Sequence, residues 1–181
     1  MHIWFTSDYH LNHFNIIRYT NRPFQTLDEM NNTIIHNFNE RVKEDDLVFF
    51  LGDFCFKSGS GRGEGEPDKA IKFRKQLICK NIIFIEGNHD KGGKNSLKTP
   101  IRKIIIHHGG KDICLVHSPD NIDYNYHFHI VGHVHNKWQF KRFQKDNRFV
   151  DCCNVSIEQW NYYPVTWNEI NQQYSMWLKQ R

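Results

Sequence analysis

Phe128-His129-Ile130-Val131-Gly132-His133-Val134-His135 is the stretch whose reading decides the fold. A short, largely apolar run that stops at a glycine reads as a strand covered on both faces. Two imidazoles at i and i+2 just beyond such a strand can both turn toward one centre. The same grammar recurs along the chain. Ile3–Thr6 runs into Asp8-Tyr9-His10, and Leu47–Leu51 into Gly52-Asp53. Ile82–Ile85 runs through Glu86 into Gly87-Asn88-His89-Asp90, and Ile113–Val116 ends at His117. In open α/β sheets, side chains gathered beyond the carboxyl ends of strands line the natural binding crevice. Gly52, Gly87 and Gly132 fit sharp exits where the backbone must approach a neighbour closely.

Between and after these strands lie helical patterns. Thr26 with Glu29 reads as a capping box ahead of Leu27, Met30, Ile34 and Phe38, and Lys43–Asp46 supplies the turn. A weaker pattern covers 68–78, with Ile71, Arg74 and Leu77. Ile104–Ile106 predicts a further strand and His107–Lys111 a tight turn. Phe140–Phe143, Phe149–Val155 and Tyr162–Val165 predict antiparallel strands, with Asp146-Asn147 as a hairpin turn. A second capping box, Thr166 with Glu169, opens a C-terminal helix carrying Ile170, Tyr174 and Trp177. The order predicts an α/β sandwich, helices covering packed sheets, in one domain over 1–181 without internal repeats. The Gly-rich segment 58–67 reads as a flexible insertion, or as a mobile loop on the substrate side. It matches neither GxxxxGK[ST] nor GxGxxG, so no phosphate cradle follows from it.

Composition narrows the class. With 181 residues, 39% hydrophobic and 24% charged, the chain suits one globular domain and argues against disorder and a coiled coil. No apolar run is long enough to span a bilayer as a helix, and the N-terminus lacks the basic and hydrophobic segments of a signal peptide. The five cysteines, Cys55, Cys79, Cys114, Cys152 and Cys153, form no CxxC pair and predict buried free thiols in a reducing, cytoplasmic setting. The net charge of +4 is mild for a nucleic-acid binder. Lys137–Lys145 alternates basic or polar with aromatic residues; it reads as a half-buried strand, or as a basic aromatic surface for phosphates and bases. The unusual count is histidine, 12 against 3 Met.

The residues after the strands offer imidazole nitrogen, carboxylate and amide oxygen without a thiolate, which suits Mn²⁺, Fe²⁺, Zn²⁺ or Co²⁺ over Cu(I) or iron–sulfur. The five blocks resemble the calcineurin-like metallophosphoesterase family, whose pattern DxH…GD…GNH(D/E)…H…GHxH is present in order from Asp8 to His135. The resemblance implies a four-layer αββα sandwich holding two divalent metals, Mn²⁺ first and Fe²⁺, Zn²⁺, Co²⁺ or Ni²⁺ as alternatives. It implies that Asp8, His10 and His135 bind one metal, that Asp53 bridges, and that Asn88, His117 and His133 complete the second site. The family's catalytic histidine falls on His89, with Asp90 beside it as orienting partner. Leu11 departs from the pattern, since many relatives have Gly directly after the DxH, and this puts the local loop shape in question.

The implied activity is hydrolysis of a phosphodiester, small or nucleotide-derived, by in-line attack of a metal-bridging hydroxide. Two metal ions about 3.5–4 Å apart can clamp phosphoryl oxygens while activating water. Two carboxylates against two divalent ions leave the centre cationic and attractive to phosphate, and a protonated His89 can protonate the leaving oxygen. The expected partner is a small phosphoester, a nucleotide or a nucleic-acid end, with no membrane. The alternatives are a nuclease and a non-catalytic metal scaffold that binds a protein or nucleic acid through Trp138, Phe140, Phe143, Trp160, Tyr162 and Tyr163. His2, His36, His107, His108, His127 and His129 match no block and read as ordinary surface or strand positions. His13, three residues after His10, is the exception and reads as facing the cleft.

Overall fold

The computed structural model describes residues 1–56, 69–90, 97 and 100–181. The Gly-rich loop 58–67 and the first residue of the helix expected over 68–78 lie outside the described residues. Among the described residues, nine strands and four α-helices follow in the order β1 (Ile3–Thr6), α1 (Phe14–Tyr19), α2 (Leu27–Arg41), β2 (Leu47–Phe50), α3 (Lys69–Arg74), β3 (Asn81–Phe84), β4 (Lys103–His108), β5 (Lys111–Val116), β6 (Phe128–Val131), β7 (Phe140–Lys145), β8 (Arg148–Asn154), β9 (Val165–Thr166) and α4 (Trp167–Lys179).

Two sheets result. One has the order β3-β2-β1-β9 and the other β4-β5-β6-β8-β7. β1, β2 and β3 run parallel, as do β5, β6 and β8, while β9, β4 and β7 are antiparallel edge strands. The alternation of side chains explains the layering. Trp4, Val48 and Phe50 turn outward and pack under Met30, Ile34 and Phe38 of α2, together with α1 and α3 residues. Phe5, Phe49, Leu51 and Ile85 turn inward and meet Ile113, Leu115, Phe128, Ile130 and Cys153 of the other sheet. Helix α4 adds Trp167, Ile170 and Tyr174 to that inter-sheet core. The outer face of the five-stranded sheet carries Cys114, Val116, Val131, Val150 and Cys152, covered by Ile122, Tyr124, Tyr126, Trp138 and Phe143. The α/β sandwich expected from the pattern is thus the architecture found, with its outer cover on the second sheet built from loop and strand aromatics.

Most of the local sequence signals are realised in the fold. The Thr166–Glu169 box forms in full, and in α2 the Thr26 hydroxyl accepts from the Glu29 N–H while the Glu29 carboxylate takes the Gln25 N–H. The Asp146-Asn147 turn joins β7 and β8 in the expected register, Lys145 opposite Arg148. All five cysteines are buried and free. Three differences have local causes. The strand expected over 162–165 starts only at Val165, because a 3-10 turn over Ile157–Trp160 is followed by Asn161 and Tyr162 with φ of 52° and 64°. Helix α1 was not expected. And Leu11, where a glycine is usual, makes an extra bridge to Cys55: its N–H donates to Phe54 O and its carbonyl accepts from Phe56 N. Among the described residues, no helix is long and apolar enough to cross a membrane.

Candidate metal centre

Because β1, β2 and β3 are parallel, as are β5 and β6, their carboxyl ends deliver every block of the motif to one edge of the sandwich. Asp8, His10 and His135 form one group whose ligand atoms lie within 4.8 Å of one another. Asp53, His117 and His133 form a second such group, and His10, Asp53 and His89 a third. Asp53 Oδ2 stands 3.4 Å from His10 Nε2 and 3.4 Å from His117 Nε2, so one carboxylate oxygen faces both halves. Asn88 Oδ1 lies 3.0 Å from His117 Nε2 and 2.8 Å from His133 Nδ1.

The backbone is strained to achieve this. Asp8, His10, Asp53, His133 and His135 all adopt positive φ, from 49° to 71°. Each such non-glycine residue costs about 1–2 kcal/mol relative to the right-handed region, and strain of this kind is concentrated where function requires a fixed geometry. Gly52 is indispensable for the same reason. It has φ +89°, and a Cβ there would approach His117 Nδ1 to 2.6 Å and the Gly87 backbone to 2.7 Å. At Gly87 a Cβ would collide with the Asp53 carboxylate and the Asp53 backbone nitrogen.

Each candidate ligand is held from behind. Asp8 Oδ2 accepts from the Ser7 and Ser156 hydroxyls at 2.6 and 2.8 Å and from His133 N–H at 2.8 Å. Its Oδ1 is buried without a hydrogen-bond partner, and so are both ring nitrogens of His10. Buried lone pairs left unpaired are costly. A cation coordinated by Asp8 Oδ1 and His10 relieves that cost, so the residues present fit a metal. His117 Nδ1 lies 2.6 Å from Leu51 O, which selects the tautomer that leaves Nε2 facing Asp53 and Asn88.

His135 is oriented by residues that no motif announces. Its Nδ1 lies 2.9 Å from Glu158 Oε1. The same carboxylate receives Arg22, 2.7 Å from its Nη2, in a pair whose side chains are 0% and 3% exposed. Arg22 also donates to the carbonyls of Asp8 and Tyr9 at 2.7 and 2.8 Å. One buried ion pair therefore ties the loop after β1 to the loop after β6. Arg22 and Glu158 are 136 positions apart, and no spacing rule links them.

The charges follow from the packing. Burial pushes the Asp8 carboxyl up, but His10, His117 and His135 hold it below the carboxylate range. Burial likewise opposes ionisation of Asp53, which His117 and His10 override, so it too is lowered. Burial depresses His117, yet Asp53, Asp8 and the Leu51 carbonyl raise it to about 9. His10 is lowered by burial. Asp90, raised to about 6 by burial and the nearby Asp53 charge, was expected to orient His89. Its Oδ2 takes the N–H groups of Asp53 and Gly87 at 2.8 and 2.9 Å, clamping the turns of these two residues together. The His89 ring is flanked by His10 at 5.1 Å and Phe56 at 5.2 Å, and the backbone N–H of His89 donates to Asp53 Oδ1 at 2.9 Å. His13 is buried, stacked on Phe56, with its Nδ1 unpaired and burial lowering it to about 4.

Of the aromatic residues singled out as a scaffold surface, Phe140 is buried and Trp138, Phe143, Trp160, Tyr162 and Tyr163 are partly exposed. Phe140 and Trp160 belong to the inter-sheet core, Trp138 and Phe143 to the outer cover, and Tyr162 to the helix-side core.

No family model matches the chain. The uncharacterized protein MJ1445 of Methanocaldococcus jannaschii is 37% identical over 169 residues, covering 91% of this chain and 86% of that protein. Among solved structures, the protein of unknown function AQ665 from Aquifex aeolicus superposes with a TM-score of 0.68 at 24% identity, covering 95% of this chain and 98% of that one. The E. coli phosphoesterase YfcE has a TM-score of 0.49 at 15% identity, covering 92% and 82%. The fold is thus shared with the A. aeolicus protein, and at 37% identity over 91% of its length the chain belongs to the family of M. jannaschii MJ1445.

Proposed function

We propose that the protein is a dinuclear-metal phosphoesterase that hydrolyses phosphodiesters. The observation that carries this reading is Asp53 Oδ2, equidistant at 3.4 Å from His10 Nε2 and His117 Nε2, which places one shared carboxylate oxygen between two ligand groups. The nitrogen and oxygen donors, without a thiolate, suit Mn²⁺ and also Fe²⁺, Zn²⁺, Co²⁺ or Ni²⁺. Asp8, His10, His135 and Asp53 would hold one ion, and Asp53, Asn88, His117 and His133 the other. Bound there, the ions would supply Lewis-acid activation of water and neutralise phosphoryl oxygens.

The chain's own groups do the rest. Asp8 and Asp53 stay ionised through the histidines around them, keeping two carboxylates available. Glu158 fixes the His135 ring from behind and Asp90 locks the turns of Asp53 and Gly87. A ring nitrogen of His89 lies within 4.8 Å of the ligand atoms of His10 and Asp53, at the side of the centre where a departing oxygen can take its proton. The scaffold alternative keeps a partly exposed aromatic set, Trp138, Phe143, Trp160, Tyr162 and Tyr163, but has no use for the His89 ring beside the candidate ligands.

The test is turnover of bis-p-nitrophenyl phosphate by the purified protein with Mn²⁺, beside metal analysis of the same sample. Activity that exceeds that of Asp53→Asn supports the reading. Wild-type turnover equal to that variant's, with two ions bound, overturns it.

A further inference from the structure

The two flanks of the candidate centre carry different chemistry. On the side of His10 and His89 stands an aromatic shelf. The His13 and Phe56 rings stack with centroids 4.1 Å apart and 12° between their planes. Tyr19 meets His13 edge-on at 6.2 Å and is itself 72% exposed. A tyrosine ring left in water beside a site offers a face for stacking.

On the side of His117 a groove of about 880 Å³ begins at His117 and Glu86, passes Arg102, Lys103 and Tyr124, and reaches the β7–β8 hairpin at Lys145 and Arg148. Its acids lie largely beneath its cations. Glu86 is 13% exposed under Arg102 at 80%, and Asp123 is 21% exposed under Lys103 at 49%. Lys145 and Arg148 are exposed, with Lys145 Nζ 6.0 Å above the Tyr124 ring. Asp146, at the hairpin tip, is the acid in the lining that stays exposed. The lining holds four cations against three acids, two of the cations paired to acids beneath them, so its exposed charge is most cationic at the hairpin end, around Lys145 and Arg148.

We propose that the centre acts on single-stranded nucleic acid. A base beside the scissile phosphate stacks on the shelf of Tyr19 and Phe56, and successive phosphates on the other side run through the groove from His117 toward Lys145 and Arg148. Aromatic faces joined to a cationic track are the combination by which single strands are held without sequence readout. A small diester bound between the metals has no use for cations at the hairpin tip, whereas a chain does. A paired helix hides its base faces and leaves the shelf idle. The proposal rests on the phosphodiesterase reading for its chemistry, but not for its binding.

The experiment separates the two. Binding of a fluorescein-labelled oligothymidylate of about a dozen nucleotides is followed by anisotropy with EDTA present, so that nothing is cleaved. Turnover of the oligonucleotide and of bis-p-nitrophenyl phosphate is then measured with Mn²⁺. The wild type is expected to bind the oligonucleotide with an affinity that falls steeply as salt rises. The double variant Lys145→Glu/Arg148→Glu is expected to weaken binding at least about tenfold, to flatten the salt dependence, and to lower the oligonucleotide-to-small-diester turnover ratio by a similar factor. Tyr19→Ala is expected to weaken binding about fivefold or more. Oligonucleotide binding that is absent, indifferent to both variants, or no tighter than that of a duplex overturns the proposal, even if the small diester is hydrolysed. Binding that responds to both variants while no phosphodiester is hydrolysed leaves the groove standing and removes the enzymatic reading instead.

Discussion

The two halves of the candidate metal centre are built to different standards. Around Asp8, His10 and His135 almost everything is buried, and the ligands are braced by charged and hydroxyl groups: Ser7 and Ser156 on Asp8, and Glu158 with Arg22 on His135. Around Asn88, His117 and His133 the bracing is thinner. His117 leans on one backbone carbonyl, His133 is half-buried, and Asn88 is exposed. The difference teaches that preorganisation can be asymmetric within one site. The first half has its candidate ligands braced on several sides, and the second adjoins the groove at His117. Tighter binding in the first half follows.

The most drastic way to break this comparison is to remove what the halves share. Asp53→Asn is expected to abolish two-site binding and to lower phosphodiester turnover by more than the roughly 100-fold that loss of an outer partner can cause. Isothermal titration with Mn²⁺ and a turnover assay check it, and two ions held as in the wild type would refute the shared role. Next comes the brace of the first half. Glu158→Ala leaves Arg22 as an uncompensated buried charge, which is expected to cost about 3–5 kcal/mol in denaturant unfolding. It should also weaken the tighter Mn²⁺ phase by about 10–100-fold. Glu158→Gln, which can still accept from His135, should retain more of that phase than the alanine variant. An unchanged tight phase in both would show that the bracing does not set the asymmetry.

pH sharpens the comparison further. In the metal-free protein His117, raised to about 9, is protonated at neutral pH and must shed its proton to ligate, so affinity in the second half is expected to rise about tenfold per pH unit up to about pH 9. In the first half burial holds His10 neutral, while Glu158 and Asp8 raise His135, though less far than His117 is raised; its affinity should therefore level off at a lower pH, and identical pH profiles for both phases would remove the distinction. The smallest expected effect lies outside both halves. His129 is fully buried and lowered to about 4, so the folded state resists its protonation while the unfolded chain accepts a proton near its ordinary 6.5. Stability due to this group is complete above about 6.5 and is lost as pH falls toward 4, about 1 kcal/mol of it between neutral pH and pH 5.5. His129→Gln should flatten that part of the unfolding profile, and an unaltered profile would assign the slope elsewhere.

Much of the fold was legible because strands announce themselves locally. β1 and β6 occupy the spans expected from their apolar runs, and the candidate ligands Asp8, Asp53, Asn88, His117 and His133 lie just beyond β1, β2, β3, β5 and β6, so they are marked without knowing which strands pair. The same locality explains what sequence misses. Proximity in sequence links Asp90 to His89, but not to the Asp53 N–H, 37 positions away, that its carboxylate also accepts. Glu158 and Arg22 look like ordinary surface charges in sequence. Only burial of both, with His135 between the β6 exit and Glu158, makes them part of the site.

The sequence by itself therefore determined the α/β class, the donor types and the places where strands must end, since apolar periodicity, capping boxes and ligand chemistry are properties of a few neighbouring residues. Tertiary structure decided the rest: the insertion of β9 beside β1, the left-handed backbone at Asp8, His10, Asp53, His133 and His135, the ion pair behind His135, and the groove beside His117. These depend on contacts between distant segments, whose energies no local pattern encodes. The candidate metal centre sits where both kinds of information meet, at strand ends that the sequence marks and that only packing of two sheets brings together.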